Sequence, residues 1–409
     1  MAFRFVHTAD LHLDSPLRSL ALRDPDLAAL IAEASRMVLR RIVDLCLSEQ
    51  VDALLIAGDL YDGSQTSMKT ARFLMSELAR LGPAGIRTFI IRGNHDAESV
   101  ITRELTPPDG VFTFTGRARA IPLTKGHQQI HIHGLSFRDR HAPKSLLPEY
   151  KPPIADALNI GLMHTSLNGS PGHDAYAPCA LADLQASGFD YWALGHIHKR
   201  TEYPGAASAA HVVMPGIPQG RDIGEAGAGS VTLVTCSDNG LQVEARVVAE
   251  AAFVPVALDV TGLEDWHALR GALAHALEEA RLSVPHLVAR LTLQGHSPLA
   301  TRLFRDRDLA QEEAQQIARD LGGTWVEKLV LDLDAQAPDA GALGDLASII
   351  AGEIRNSAQY TAALEALRRD LEGALPSVAA LRDDLAQIDP ELIERGIAEV
   401  LARLGGERP

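Results

Sequence analysis

Four short polar motifs in the first half of the chain each follow an apolar run that has the pattern of a β-strand. One of them, Gly93-Asn94-His95-Asp96, comes directly after the run at residues 88–91. The others are Asp10-Leu11-His12, Gly58-Asp59-Leu60-Tyr61-Asp62 and Gly195-His196-Ile197-His198, and a single His164 follows the run at residues 160–163. Because ligand sites in parallel sheets form at the carboxyl ends of the strands, we expect these motifs to meet in space and to hold two metal ions.

Strand-like and helix-like segments alternate over the first hundred residues. Residues 3–8, 51–57 and 87–92 are predicted as strands from their apolar runs. Residues 24–50 and 66–81 are predicted as helices, because their apolar side chains recur at helical spacing. This β-α-β-α-β order predicts an α/β fold built on a parallel sheet.

The pattern changes after about residue 110, where short strand-like pieces dominate. They cover residues 111–114, 118–123, 129–137, 160–164, 191–194, 212–214, 230–236 and 241–248. We expect them to form a second, more antiparallel sheet packed on the first. The stretch Pro215-Gly216-Ile217-Pro218-Gln219-Gly220-Arg221, with further glycines after it, predicts a loop that runs past the site or across a sheet edge.

The last third of the chain has a different composition. Residues 254–293 have a β-α-β pattern, which predicts a small separate domain. From about residue 341 the chain is rich in Ala, Leu, Glu and Arg at helical spacing. This helical tail either packs on its own chain or offers a docking surface to a partner. The predicted domains are therefore residues 1–250, 251–337 and 338–409.

The composition limits the possible classes of protein. The net charge of −15 argues against a protein that coats DNA through its overall field, although it permits a nucleic-acid enzyme with local positive charge. Three widely separated cysteines predict a reducing cytoplasm and no thiolate metal site. A signal peptide is not evident, and no apolar stretch reaches the roughly 20 residues that a membrane span requires.

The candidate ligands are two aspartates, one asparagine and four histidines, namely Asp10, Asp59, Asn94, His12, His164, His196 and His198. A mixture of oxygen and imidazole donors suits manganese and similar borderline ions better than calcium or magnesium. Seven donors exceed what one ion needs, so we expect two ions about 3.5–4 Å apart that share a carboxylate. Asp59 is the expected bridge because its strand should be central in the sheet.

The remaining polar residues of the motifs are assigned supporting roles. His95 is expected to act as a general acid toward a leaving oxygen, since its neighbour Asn94 serves as the ligand. Asp62 and Asp96 are candidates for orienting imidazoles. His7 is either a similar supporting residue or a packing residue. His131 and His133 are interpreted as residues of a strand face, because no glycine turn follows them.

The complete set of motifs resembles that of the calcineurin-like metallophosphoesterases, over residues 1 to about 200. The resemblance implies a four-layer αββα sandwich, in which two mixed sheets lie face to face with helices outside. It also implies that one ion is held by Asp10, His12, Asp59 and His198, and the other by Asp59, Asn94, His164 and His196. His95 would be the catalytic histidine.

A narrower resemblance is to the DNA-repair exonucleases of the SbcD-like branch, and within it to a bacterial YhaO-type subgroup. It rests on His7-Thr8-Ala9-Asp10-Leu11-His12-Leu13, on Pro215-Gly216 and on Pro218-Gln219-Gly220-Arg221-Asp222-Ile223-Gly224-Glu225. In that branch a small α+β capping domain follows the phosphoesterase domain. A helical tail then docks on an SMC-like or AAA-type ATPase.

Three functions are compatible with these features. The first is a manganese-dependent DNA exonuclease and endonuclease that works in DNA repair with an ATPase. The second is a phosphatase or small-molecule phosphodiesterase that uses the same two ions. The third is a non-catalytic subunit that tethers DNA. The additional domains favour a macromolecular substrate, intact ligands argue against the third function, and homodimerisation stays open.

Overall fold

The computed structural model describes residues 2–15, 24–62, 67–98, 106–139, 142–168, 176–205, 209–333, 342–374, 396–397 and 400. The chain forms two compact units, one of Met1–Val254 with Arg281–Val288 and the other of Pro255–Ala280 with Ala289–Pro409. Within the described ranges, no helix has the length and apolarity needed to cross a lipid bilayer.

The strands in chain order are β1 (Phe3–Thr8), β2 (Ala53–Ala57), β3 (Arg87–Ile91), β4 (Val111–Thr113), β5 (Arg119–Lys125), β6 (Gln128–Gly134), β7 (Leu158–His164), β8 (Tyr191–Gly195), β9 (Thr201–Tyr203), β10 (His211–Met214), β11 (Ser230–Ser237), β12 (Gly240–Val247), β13 (Ala251–Asp259), β14 (His286–Gly295) and β15 (Thr324–Leu333). The α-helices are α1 (Pro25–Ser48), α2 (Met68–Ala79), α3 (Leu181–Gln185), α4 (Trp266–Glu279), α5 (Ala300–Arg305), α6 (Arg307–Leu321), α7 (Ala342–Ile349) and α8 (Ala358–Ala374). Short 3-10 turns lie at Gly82–Ala84, Asp96–Glu98, Leu147–Glu149 and Ile223–Glu225, and a π-helical turn at Ile350–Ile354 follows α7.

The first sheet has the order β12-β11-β1-β2-β3-β4. Strands β1 to β4 are parallel, which confirms the predicted β-α-β-α-β unit. Helices α1 and α2 begin where side-chain caps satisfy free amides: Asp24 accepts the N–H of Leu27, and Ser67 accepts that of Thr70. These caps explain why the helices start one or two residues later than predicted.

The second sheet, ordered β5-β6-β7-β8-β10-β9, differs from its prediction in two ways. Three of its five strand pairs are parallel, so the expected antiparallel character is wrong. Strands β4, β11 and β12 belong to the first sheet, where β4 pairs parallel with β3 and β11 pairs antiparallel with β1. Short apolar runs reveal strands but not their partners, because pairing depends on connections that cross the sheet.

A shared apolar core lies between the two sheets. Phe5 and Leu55 of the first sheet belong to one buried cluster with Ile132, Leu162 and Tyr191 of the second. Burial of these apolar side chains excludes water from the inner faces of both sheets and holds the sheets together.

The outer faces of the two sheets are covered separately. Val38 and Ile42 of α1 and Leu74 of α2 pack with Val6 and Ile56 on the first sheet. A third cluster covers the second sheet and contains Trp192, Met163, Tyr150 and Leu184 of α3. The chain therefore has the α/β four-layer sandwich that the resemblance implied.

The second compact unit is larger than the β-α-β pattern indicated. Its sheet has the order β13-β14-β15, and α6 contacts both β15 and α4. Helices α5 and α6 and strand β15 extend the predicted unit of two strands and one helix. Helices α7 and α8 match the predicted helical tail, whereas most of the predicted helical pattern beyond residue 374 lies outside the described residues.

Candidate metal centre

The motifs that begin at Asp10 and Gly58 are held side by side by backbone hydrogen bonds. The N–H of Asp10 donates to the carbonyl of Gly58 at 3.0 Å, and that of His12 donates to the carbonyl of Asp59 at 3.1 Å. On the second sheet, His164 pairs in register with Gly195, the last residue of β8. The strand ends therefore bring all the predicted motifs to one edge of the sandwich.

Several candidate ligands of the motifs have positive φ angles and not an extended backbone. Asp10, His12 and Asp59 have φ values of +53°, +40° and +52°, and His196 has +105°. Left-handed conformations are unfavourable for residues with a Cβ atom and often mark functional sites. Here they turn the side chains toward one another at the end of each strand.

One group of potential ligands consists of Asp10, His12 and His198, whose ligand atoms all lie within 4.8 Å of one another. The Nε2 atoms of His12 and His198 are 3.3 Å apart. Burial lowers the pKa of His12 to about 3, so its imidazole is neutral at physiological pH. Two imidazole nitrogens and a carboxylate that converge in this way are suitable donors for a divalent cation.

A second group consists of Asp59, His164 and His196, again with ligand atoms within 4.8 Å. The Nδ1–H of His164 donates to the carbonyl of Ala57 at 2.9 Å, so its Nε2 faces the group. That nitrogen lies 3.0 Å from Oδ1 of Asn94 and 3.3 Å from Oδ2 of Asp59.

These contacts test whether the residues fit a cation. A neutral His164 would direct a lone pair at two oxygen acceptors, an arrangement that a positive charge between them would stabilise. Burial alone would lower the pKa of His164, but Asp59 raises it to about 9. The same buried negative charge that retains a proton can hold a metal ion, so the donor set fits.

Glycine is required next to these ligands because the backbone approaches them closely. A Cβ atom on Gly93 would lie 2.2 Å from Oδ1 of Asp59 and 2.8 Å from Cε1 of His164. On Gly195 it would lie 2.1 Å from the carbonyl oxygen of Ala57. All three distances are far below van der Waals contact, so a side chain at either position would displace a candidate ligand or its strand.

His95 lies beside the ligand groups and is partly exposed. Its side chain is 33% exposed, and its Nδ1 lies 3.0 Å from Oδ1 of Asp62. The hydroxyl of Ser15 donates to Oδ2 of the same carboxylate at 2.6 Å. The contact with Asp62 raises the pKa of His95, so the ring can carry a proton near neutral pH. Asp62 thus contacts an imidazole of the motifs, and it also forms a third close group with His12 and His95.

Asp96 supports the site in a different way from the one predicted. Its carboxylate accepts backbone N–H groups from Leu60 at 3.0 Å, Tyr61 at 3.2 Å and Gly93 at 3.1 Å. Asp96 therefore binds backbone amides of the motifs that begin at Gly58 and Gly93, rather than an imidazole. Burial, reinforced by Asp59, raises the pKa of Asp96 to about 7.

The other predicted histidines lie within the sheets. His7 is fully buried; its Nε2 donates to the carbonyl of Leu194 at 2.9 Å and its Nδ1 faces the Tyr191 hydroxyl at 3.0 Å. It supports β8, the strand that precedes His196. His133 contacts Asn159 at 3.0 Å, and neither it nor His131 belongs to the close ligand groups found among the described residues.

Sequence reasoning missed two residues of the loop that follows β10. Oε1 of Glu225 accepts the Nδ1–H of His198 at 2.6 Å, and the guanidinium of Arg221 binds the same carboxylate. Burial would raise the pKa of Glu225, but His198 and Arg221 lower it to about 2. The glycine-rich loop was predicted to pass the site, yet nothing in the sequence separated Glu225 from Asp222, which caps its own turn at Gly224.

Comparisons with known proteins agree with this geometry. Residues 3–200 match the family described as calcineurin-like phosphoesterase, and residues 253–334 match the middle domain of metallophosphoesterase YhaO. The uncharacterised metallophosphoesterase YhaO of Bacillus subtilis is 34% identical over 304 residues, which cover 72% of each chain.

Two further relatives are more distant. The DNA double-strand break repair protein Mre11 of Sulfurisphaera tokodaii is 27% identical over 204 residues, which cover 48% of this chain and 49% of that protein. A component of the nuclease SbcCD from Rhodobacter capsulatus is 32% identical over 141 residues, which cover 34% of this chain and 32% of that component. The match thus spans about half of the first protein and a third of the second.

Proposed function

The chain belongs to the calcineurin-like metallophosphoesterase family and is similar to YhaO within it. From this membership we propose that the protein is a manganese-dependent DNA nuclease. The observation that carries the proposal is the convergence of two ligand groups beside an accessible histidine–carboxylate pair. Such a site serves the hydrolysis of a phosphodiester bond by in-line attack.

The proposed ligands divide between the two groups. Asp10, His12 and His198 would hold one ion, and His164 and His196 would hold the other. Asp59 would contribute to both ions, and Asn94 would contribute to the second. The mixed donors favour manganese. When bound, the two ions supply a nucleophile at neutral pH and neutralise charge on a phosphoryl oxygen.

The remaining chemistry belongs to His95. In the proposal its ring donates a proton to the oxygen that leaves the phosphorus, a role that requires it to be protonated and accessible. The Asp62 carboxylate raises the pKa of His95 and so favours the protonated ring, and Ser15 donates to the second oxygen of that carboxylate. Partial exposure of His95 supports contact with a substrate outside the ligand groups.

DNA is the proposed substrate for two reasons. The relatives Mre11 and the SbcCD component are named as a DNA repair protein and as part of a nuclease. The chain also has a second compact unit, which a small phosphoester would not require. In the proposal, residues 1–250 form the catalytic domain, 251–337 a cap, and the reaction takes place in the cytoplasm as part of DNA repair.

The C-terminal region, residues 338–409, is the proposed docking site for an SMC-like ATPase; helices α7 and α8 are its described helices. Large apolar side chains on it are exposed, among them Ile349, Ile354 and Leu367 at 43%, 42% and 53%. Helices that dock in an apolar groove of a partner use exposed apolar side chains of this kind.

The proposal is tested by incubating the full chain with end-labelled linear DNA, with a small chromogenic phosphodiester, and with Mn²⁺ or a chelator. Hydrolysis of DNA that requires Mn²⁺ is expected. A matched His133→Ala variant, changed in a sheet histidine outside the ligand groups, should remain active. Hydrolysis of the chromogenic ester without any cleavage of DNA would contradict the nuclease assignment and favour a small-molecule phosphodiesterase.

A further inference from the structure

The loop after β10 is built around one of the candidate ligands. Its start is fixed where the N–H of Ile217 donates to the carbonyl of His198 at 2.9 Å. Gly216, with φ of +78°, is required there because a Cβ atom would lie 2.7 Å from that carbonyl oxygen. The loop therefore follows the backbone of His198 before it turns back toward the side chain.

The end of the loop contacts the ring of the same histidine. Oε1 of Glu225 lies 2.6 Å from Nδ1 of His198, and the Glu225 side chain is only 11% exposed. An ionised carboxylate can only accept, so Nδ1 carries the hydrogen and the lone pair of His198 lies on Nε2. That atom is the one that faces Nε2 of His12 at 3.3 Å within the ligand group.

Arg221 fixes the carboxylate from the other side. Its Nη2 lies 2.6 Å from Oε1 of Glu225, and its backbone N–H donates to Oε2 at 2.8 Å. Its Nη1 is 3.8 Å from Oδ2 of Asp62, the residue that contacts His95. One loop thus connects a ligand histidine to the pair proposed for proton transfer.

We infer that Glu225 is a positioning residue for the ion at Asp10, His12 and His198, because it fixes the tautomer and the orientation of the His198 ring. The inference rests on the proposed metal centre and adds to it a carboxylate that holds no ion itself. Carboxylates in this position commonly contribute about 10–100-fold to metal affinity.

The test is calorimetric titration of the metal-free full chain with MnCl₂, comparing wild type with Glu225→Ala and Glu225→Gln. Wild type is expected to bind two ions in two resolved steps. Glu225→Ala should weaken one step by about 10–100-fold and leave the other unchanged. Glu225→Gln, which keeps an acceptor oxygen without the charge, should lose less. Glu202→Ala is the matched control, since it removes a carboxylate from His211, which is outside the ligand groups.

The possible outcomes separate the inference from the proposed function. If Glu225→Ala bound both Mn²⁺ ions with wild-type affinity, the positioning role would be overturned. Equal weakening of both steps would also overturn it, because a general disturbance of the fold does not distinguish the two ions. A wild-type chain that binds no Mn²⁺ would overturn the proposed metal centre itself.

Discussion

The buried ring of His7 makes a definite contribution to the pH dependence of stability. Its Nε2–H donates to the Leu194 carbonyl, and its Nδ1 accepts from the Tyr191 hydroxyl. Burial, only partly opposed by the Leu194 carbonyl, lowers the pKa of His7 from 6.5 in the unfolded chain to about 3. The folded ring therefore stays neutral in weak acid, where the unfolded ring is protonated.

The sign and size of the effect follow from this difference in proton binding. Well above pH 6.5 neither state binds the proton, and the full stabilisation by His7 is present. As the pH falls from 6.5 toward 3, only the unfolded state gains the proton, so the free energy of unfolding decreases. Between about pH 7.5 and about pH 5 the loss amounts to about 2 kcal/mol.

The perturbation that isolates this contribution is His7→Gln. Glutamine can donate to Leu194 and accept from Tyr191, but it does not titrate. Urea unfolding of both proteins at the two pH values, followed by circular dichroism, measures the change in free energy. Wild type should lose about 2 kcal/mol more than the variant on acidification. An equal loss in both proteins would refute a neutral, buried His7.

Three further changes test the site. His95→Ala should reduce turnover by about 10²–10⁴-fold while Mn²⁺ content stays at the wild-type value, measured by elemental analysis; loss of bound metal would contradict its assignment. Gly93→Ala places a Cβ atom 2.2 Å from Oδ1 of Asp59. It should destabilise the fold by about 1–3 kcal/mol and weaken Mn²⁺ binding, whereas Gly271→Ala, where a Cβ atom meets nothing within 4 Å, should not weaken binding. Mn²⁺ at about 100 times its dissociation constant should stabilise the metal-free chain by about 2.7 kcal/mol in thermal unfolding, and an unchanged melting temperature would contradict a folded-state site.

The motifs at the strand ends made the convergence of the candidate ligands predictable from sequence. Each follows a run whose apolar pattern identifies a buried strand, and parallel strands deliver their carboxyl ends to one edge. The order of Asp10, Asp59, Asn94 and His196 along the chain therefore carried information about their proximity in space. The four-layer fold came from the resemblance that the same motifs support.

The local conformation of the site could not be predicted in this way. Asp10, His12 and Asp59 adopt left-handed backbone conformations that their residue types disfavour, so the surrounding contacts impose them. Asp96 was a candidate for orienting an imidazole. Its actual partners are the backbone amides of two separate motifs, a result of tertiary packing.

The association of distant segments was also beyond sequence reasoning. Strand β11 has the same apolar pattern as the strands of the second sheet, but pairs with β1 of the first. Glu225 reaches His198 across 27 residues, and only the course of the intervening loop distinguishes it from Asp222. The apolar pattern of the sequence identifies strands, helices and motifs. The β11–β1 pairing and the Glu225–His198 contact depend on how these elements are connected.

The most direct test of the central claim is an anomalous difference map from a crystal of the full chain grown with Mn²⁺. Two peaks are predicted, one among Asp10, His12 and His198 and the other among Asp59, His164 and His196. A single peak, or manganese bound away from these six side chains, would contradict a two-ion phosphoesterase site.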